Sequence, residues 1–206
     1  MYLLALETGI GGGSLSIFDD DKLLDFRLGG YHFGRSEFFI DTVSKIFMEN
    51  DLERSNLGKI LYSGNPGSHT GLKIGASLAK GLGLALDVPV KAKDLFASVF
   101  VCIFRPGMEN VRIILPLSKT ILEWKVFDGA GNCLDFGQVI PGSSVGVDEK
   151  FLPKQKFMPT YMPLSLLPEP EVIRGYFGVK DEKGLFDLGA NLSKYLGLSE
   201  NGNFGG

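Results

Sequence analysis

Ser63-Gly64-Asn65-Pro66-Gly67-Ser68-His69-Thr70-Gly71-Leu72-Lys73-Ile74-Gly75 joins a short apolar run, Lys59 to Tyr62, to a longer one, Gly71 to Leu86. The first run reads as a strand and the second as a helix. Pro66-Gly67 sets a turn between them, because proline fixes φ and glycine accepts positive φ. Ser68 or Thr70 then caps the helix by accepting a backbone N–H. A strand, a glycine-rich turn and a helix N-terminus present free N–H donors and the positive end of a dipole, an arrangement that suits an anion. It is equally the make-up of a tight structural turn built on Gly64, Pro66, Gly67, Ser68 and Thr70. It is not a phosphate-binding P-loop, which needs Gly-Lys-[Ser/Thr]. The nearest lysine here, Lys73, falls inside the helix.

Within that helix Gly71, Gly75, Ala79 and Gly83 recur every fourth residue and form a ridge almost without side chains. Each helical glycine costs roughly 0.5–1 kcal/mol against alanine, so close approach of another backbone is expected to offset it. Ile74, Leu78 and Leu82 make the adjacent apolar ridge, and Lys73, Ser77 and Lys80 a polar flank. Spacing alone leaves two seats for the small ridge, the chain's own sheet or a partner; the polar flank favours the partner.

Working towards the N-terminus, Tyr2 to Leu6 reads as a central strand. Glu7-Thr8-Gly9-Ile10-Gly11-Gly12-Gly13 turns it into a second strand, Ser14 to Phe18, and Asp19 to Lys22 turns that into a third, Leu23 to Leu28. Ser36 to Met48 reads as a helix whose Phe39, Ile40, Val43, Ile46 and Phe47 face the sheet, with Phe38 and Met48 outside that arc. Towards the C-terminus follow a short strand at Val88-Pro89-Val90 and a helix from Asp94 to Phe104. Arg105-Pro106-Gly107 breaks the chain there. Three antiparallel strands, Val111 to Leu117, Ile121 to Phe127 and Leu134 to Ile140, repeat the meander of the first half. Asp128-Gly129 reads as a hairpin turn. Five of the ten prolines then fall between Pro153 and Pro170, and Phe186 to Leu196 reads as a last amphipathic helix before a frayed end.

A chain of 206 residues, 44% hydrophobic and 22% charged, has the composition of a soluble globular protein. A net charge of −3 gives no basic footprint for unaided binding to a nucleic-acid backbone. Cys102 and Cys133 lack metal spacing, and His32 and His69 form no metal pair, so no metal site is expected. The opening Met1-Tyr2-Leu3-Leu4 has no basic segment of a signal peptide, which points to the cytoplasm and reduced thiols.

The run Gly64 to Gly75, followed by Ala79-Lys80-Gly81-Leu82 and Val88-Pro89-Val90, resembles the central signature of the TsaB (YeaZ) proteins. These are Gcp-like, glycoprotease-like proteins of tRNA threonylcarbamoyladenosine (t6A) biosynthesis. This chain departs from their pattern at His69, where phenylalanine is usual, and at Lys73, where arginine is usual. It departs also at Arg35, where histidine is usual, at Glu7, where aspartate is usual, and at Ser118-Lys119-Thr120. The likeness covers roughly residues 1–100 and is topological beyond.

The resemblance implies an α/β fold of the actin-like ATPase (ribonuclease H-like) type, duplicated into two subdomains, residues 1–104 and 105–206. It implies no catalytic residue, with Glu7, Thr8 and Gly9 as a vestigial nucleotide or phosphate site, and no cofactor of its own, weak or shared binding of ATP or ADP being expected only in the complex. It implies a partner interface on the two N-terminal helices, formed by Glu37, Phe38, Gly71, Lys73, Gly75, Ala79 and Gly83. The partners would be a TsaD-like catalytic subunit and a TsaE-like ATPase, with tRNA met only through the complex, a homodimer when alone, and no membrane. The alternatives are a sugar-kinase-like phosphotransferase, a glycoprotease-like hydrolase, or a stand-alone homodimeric scaffold. A kinase would need a second acidic group beside Glu7, and a hydrolase a nucleophile with its base or metal.

Overall fold

The computed structural model describes residues 1–10, 13–20, 22–28, 36–104, 110–116, 121–139, 171–173, 196–197 and 200. Six strands and three helices come first or close by in the chain order: β1 (Tyr2–Glu7), β2 (Ser14–Asp19), β3 (Lys22–Leu28), α1 (Ser36–Glu49), β4 (Leu57–Asn65), α2 (His69–Leu86), β5 (Val90–Asp94), α3 (Leu95–Ile103) and β6 (Asn110–Pro116). Strands β7 (Leu122–Asp128), β8 (Cys133–Val139) and β9 (Glu171–Ile173) complete the described set, and a single 3-10 turn, Arg54–Asn56, leads into β4.

The first five strands form one mixed sheet in the order β3-β2-β1-β4-β5. β1, β2 and β3 run as an antiparallel meander, and β4 and β5 add in parallel to β1. β1 is central because it is buried on both faces: Leu4 and Leu6 are fully buried on one side, Leu3 and Ala5 on the other. The pleat sends alternate residues to two cores. One holds Leu4, Leu6, Leu15, Ile17 and Ile60 under α1 and α2, with Phe39, Val43, Ile46 and Phe47 from α1. The other holds Leu3, Ala5, Phe18 and Leu61 with Leu95, Phe96 and Val99 of α3. Ile113 and Leu115 of β6, Phe127 of β7 and Leu196 belong to that second core.

α1 differs from its expected arc at one position. Ile40 is 51% exposed while Phe39, Val43, Ile46 and Phe47 are buried. At 100° per residue Ile40 sits on the margin of that arc, and in the fold the margin opens towards α2. Met48 is exposed, as its position outside the arc implies.

The second sheet has the order β8-β7-β6-β9. Its β6-β7-β8 part is the expected antiparallel meander, but β9 pairs with β6 in parallel and makes the sheet mixed. Three residues carry little periodicity, so this strand is not legible in the proline-rich stretch beside it. The Asp128 turn uses its own carboxylate: Oδ1 accepts from Ala130 N at 2.9 Å and Asn132 N at 2.8 Å, with Gly131 at φ +84°. It is the hairpin turn expected at Asp128-Gly129. The break at Arg105-Pro106-Gly107, the site of the expected subdomain boundary, lies outside the described residues, as does most of the Phe186 to Leu196 segment.

Candidate functional site

The Glu7 to Gly13 hairpin and the N-terminus of α2 meet at the end of β1. Glu7 is fully buried, and its Oε1 accepts from Gly9 N at 2.7 Å and Ile10 N at 3.0 Å. Oε2 is buried with no hydrogen-bond partner. Burial pushes this carboxyl up to about 8, against the opposing pull of the two backbone N–H groups. Glu7 is therefore mostly a neutral acid at pH 7. Ser14, its register partner on β2, and Ser63 on β4 also have buried hydroxyls without partners. Alternation along the three strands turns these side chains to the face that carries α3.

Thr8 and Gly9 of the hairpin are tied to α2 and its cap. Thr8 Oγ1 donates to Gly71 O at 2.8 Å, and Ser68 N donates to Gly9 O at 2.7 Å. Gly9 and Gly67 are both glycine for the sake of this approach: a Cβ on Gly67 would stand 2.6 Å from Gly9 Cα. Ser68 is the helix cap, its Oγ accepting from Gly71 N at 3.1 Å, so the cap falls to Ser68 rather than to Thr70, which is exposed. Within 63–75 the N–H groups of Ser68, Gly71 and Leu72 are thus used inside the chain. Gly64 is exposed beside Ala92, and Pro66 and Gly67 are buried in the turn.

Those facts decide whether a nucleotide-bound magnesium ion fits the hairpin. Magnesium needs ionised or carbonyl oxygen ligands in an octahedral shell with water. Glu7 is neutral and sealed, one of its oxygens already serves the backbone, and the described residues hold no group of three His, Cys, Asp or Glu side chains suited to a metal. The residues do not fit that group.

The small-residue ridge of α2 corrects the expected partner interface. Gly71, Gly75, Ala79 and Gly83 are all buried within the chain itself. A Cβ on Gly71 would overlap Thr8 O, one on Gly75 would overlap Thr8 Oγ1, and one on Gly83 would overlap the Val90 side chain. The ridge lets α2 lie against Thr8, just beyond β1, and against Val90 of β5, so these four residues are not free to meet a partner. Lys73 is exposed, on the opposite side of the helix. Glu37 and Phe38 stand in the first turn of α1, and their side chains lie outside the described residues.

The surface that remains open is the groove between α1 and α2. It has a cavity volume of about 570 Å³ and is lined by Ile40 of α1 and by Thr70, Lys73, Ile74, Ser77 and Leu78 of α2, among others. Its floor is the apolar ridge Ile74, Leu78, Leu82, and Lys73 and Ser77 form the polar edge. Exposed Met48 and Leu84 add apolar surface to the same pair of helices. The described helices include none long and apolar enough to cross a membrane, so this surface is not part of a helical span.

Two further clusters carry no sequence motif. Asp94 caps α3 by accepting from Ala97 N at 3.0 Å, and its Oδ2 takes Asn65 Nδ2 and Lys125 Nζ, each at 3.0 Å. It pins the 63–75 turn to β7. On the other edge, Lys59, Lys91 and Lys93 all pair with Glu200. Partners separated by up to 141 positions leave no local pattern to read.

Comparison with known proteins places this architecture. The family model described as TsaD, tRNA N6-adenosine threonylcarbamoyltransferase, matches residues 35–92. That span includes α1, the 63–75 turn and α2. The tRNA threonylcarbamoyladenosine biosynthesis protein TsaB of Bacillus subtilis (strain 168) is 28% identical over 92 residues, 45% of this chain and 40% of that protein. The match thus spans well under half of the Bacillus protein. Among solved structures, YeaZ from Pseudomonas aeruginosa superposes with a TM-score of 0.52 at 21% identity, covering 71% of each chain. A second Pseudomonas aeruginosa structure, described as an uncharacterized protein with similarity to peptidase YeaZ, gives 0.53 at 20% identity over 71% of this chain and 70% of that one. The fold is of the mixed α/β type seen in those YeaZ structures, and over part of its length the chain is similar to the TsaB (YeaZ) proteins.

Proposed function

We propose that this chain serves t6A formation on tRNA as a non-catalytic subunit that supports a TsaD-type threonylcarbamoyl transferase. The observation that carries this reading is the open apolar groove between α1 and α2, in the part of the chain matched by the TsaD family model. A half-exposed isoleucine lining a groove between two helices is the type of anchor that a partner's helices bury. Two more helices laid across α1 and α2 would complete a four-helix bundle. The sealed hairpin supports the non-catalytic part: neutral Glu7 offers neither a magnesium ligand nor a general base at pH 7. The TsaE-like ATPase would join through the complex, and tRNA would be met there. The chain's division near residue 104 would place this docking surface wholly in the N-terminal subdomain.

The experiment is reconstitution of t6A synthesis. A TsaD-type transferase from the same host, its companion proteins and unmodified tRNA are assayed with and without this chain. Modification that depends on the chain, and that persists with the Glu7→Gln variant, supports the reading. Equal modification without the chain overturns it, and loss of activity in Glu7→Gln with intact assembly would assign chemistry to the hairpin instead.

A further inference from the structure

Three buried side chains at the end of the central strand have polar atoms without hydrogen-bond partners among the described residues: Glu7 at Oε2, and Ser14 and Ser63 at their hydroxyls. They stand in one row across three strands. Ser14 of β2 is the register partner of Glu7 on β1. On the other side β1 and β4 run in parallel register as far as Leu6 and Tyr62, so the next residues, Glu7 and Ser63, are neighbours. Glu7 lies two residues beyond Ala5 and Ser63 two beyond Leu61, both of which sit in the core with Leu95, Phe96 and Val99 of α3. Alternation gives the whole row that same face. Glu7 and Ser14 are fully buried, and Ser63 is 1% exposed.

A buried donor or acceptor left unpaired carries the full desolvation penalty of its group, and three of them in one row call for a shared explanation. They do not bond one another, although neighbouring strands stand only about 4.8 Å apart. Polar groups held just beyond direct reach are the setting in which water bridges. The chemistry of the row selects the same ligand. Burial keeps the Glu7 carboxyl mostly protonated at pH 7, and a neutral carboxylic acid, like a serine hydroxyl, both donates and accepts. Uncharged groups that work in both directions match a neutral molecule that does the same. A magnesium or calcium ion takes about six or more oxygen ligands, whereas a buried water makes about three hydrogen bonds. All three residues are closed to solvent, so the ligand is one small enough to be enclosed with them.

We propose that Glu7, Ser14 and Ser63 form a binding site for buried water, with Glu7 Oε2 linked through water to the serine on either side. The bridges tie β2, β1 and β4 together at the last register pair of β1 and β2, where the Glu7 to Gly13 hairpin begins. Glu7 Oε1 meanwhile holds that hairpin through Gly9 N and Ile10 N. One carboxyl thus serves the turn with one oxygen and the sheet with the other. Thr8 and Gly9 carry the order on to α2, through Gly71 O and Ser68 N. The site lies on the opposite face of the sheet from α1 and α2 and does not depend on what fills their groove.

The test is a high-resolution crystal structure of the full chain, joined to thermal melting of Ser14→Ala and Ser63→Ala. Water density is expected within about 2.5–3.0 Å of Glu7 Oε2 and of a serine Oγ. Each alanine variant removes one end of a bridge and should lower the melting temperature by about 2–4 °C. A hydroxyl that held nothing would act in the opposite sense, since its removal relieves a buried unpaired group and raises the melting temperature. In crystals of the double variant Ser14→Ala/Ser63→Ala the water beside Glu7 Oε2 should be lost, because too few partners remain to hold it. The proposal is overturned if Glu7 bonds directly to Ser14 or Ser63 with no water between them. It is overturned also if the density is a cation ringed by about five or more oxygens at roughly 2.4 Å, or if both alanine variants melt at or above the wild type.

Discussion

Gly75 lies directly against Thr8: a Cβ there would overlap Thr8 Oγ1, the hydroxyl that donates to Gly71 O at 2.8 Å. One contact thus joins the glycine ridge of α2 to the hairpin after β1. Gly75→Leu is expected to destabilise the free chain by about 1–3 kcal/mol through overpacking, despite the gain in helix propensity. Thermal melting of the purified variant checks it; a melting temperature at or above that of the wild type would move the ridge off the sheet.

The ridge also shows what was legible in the sequence. A four-residue spacing of small residues announces close packing, but a sheet and a partner helix favour the same residues, so periodicity does not distinguish them. The three-strand opening, the strand-turn-helix at 59–86 and the helix that begins at Asp94 were readable because each is a local pattern. The exposure of Ile40 was not readable, since it lies on the margin of an apolar arc and burial at a margin depends on the neighbouring helix. Ser14 and Ser63 beside Glu7, the β9 pairing and the Glu200 clasp depend on contacts across the fold and carry no local signal.

Glu7 sets a pH dependence whose sign follows from its raised value. Its carboxyl titrates near 4.5 in an ordinary setting and about 8 when folded, so the folded state binds the extra proton between those limits. Stability from this group is fully present below about 4.5 and is lost as pH rises to about 8. The swing is on the order of 4–5 kcal/mol. Glu7→Gln, uncharged at every pH, should remove this loss and make the chain more stable than wild type at pH 8.5. Chemical denaturation at pH 5 and pH 8.5 measures it; parallel pH profiles for the two proteins would contradict the buried neutral acid.

Glu200 runs in the opposite sense at the acid end. Its carboxyl falls from 4.5 to about 2 in the fold, so its contribution is present above about 4.5 and lost as pH drops towards 2. Glu200→Gln should flatten the acid limb of the stability profile in that window and leave the neutral-to-alkaline limb, which belongs to Glu7, as it is. Denaturation series between pH 2 and pH 5 provide the readout.

Asp94 holds three partners from three places: Ala97 N, Asn65 Nδ2 and Lys125 Nζ. Asp94→Ala should cost about 0.5–2 kcal/mol for the lost cap alone, with a further loss from freeing Lys125. Asp94→Asn should retain the cap and recover part of that cost. A difference between the two variants in urea midpoint checks the division.

The central claim is that the α1–α2 groove receives the TsaD-type subunit, and the affinity of an Ile40→Asp variant tests it most directly. Ile40 is 51% exposed, so the substitution should leave the free chain's melting temperature nearly unchanged. Titration calorimetry against the host's TsaD-type protein should show association weakened on the order of tenfold or more, because a carboxylate would be buried unpaired in an apolar contact. Undiminished affinity in a folded Ile40→Asp variant would contradict the account.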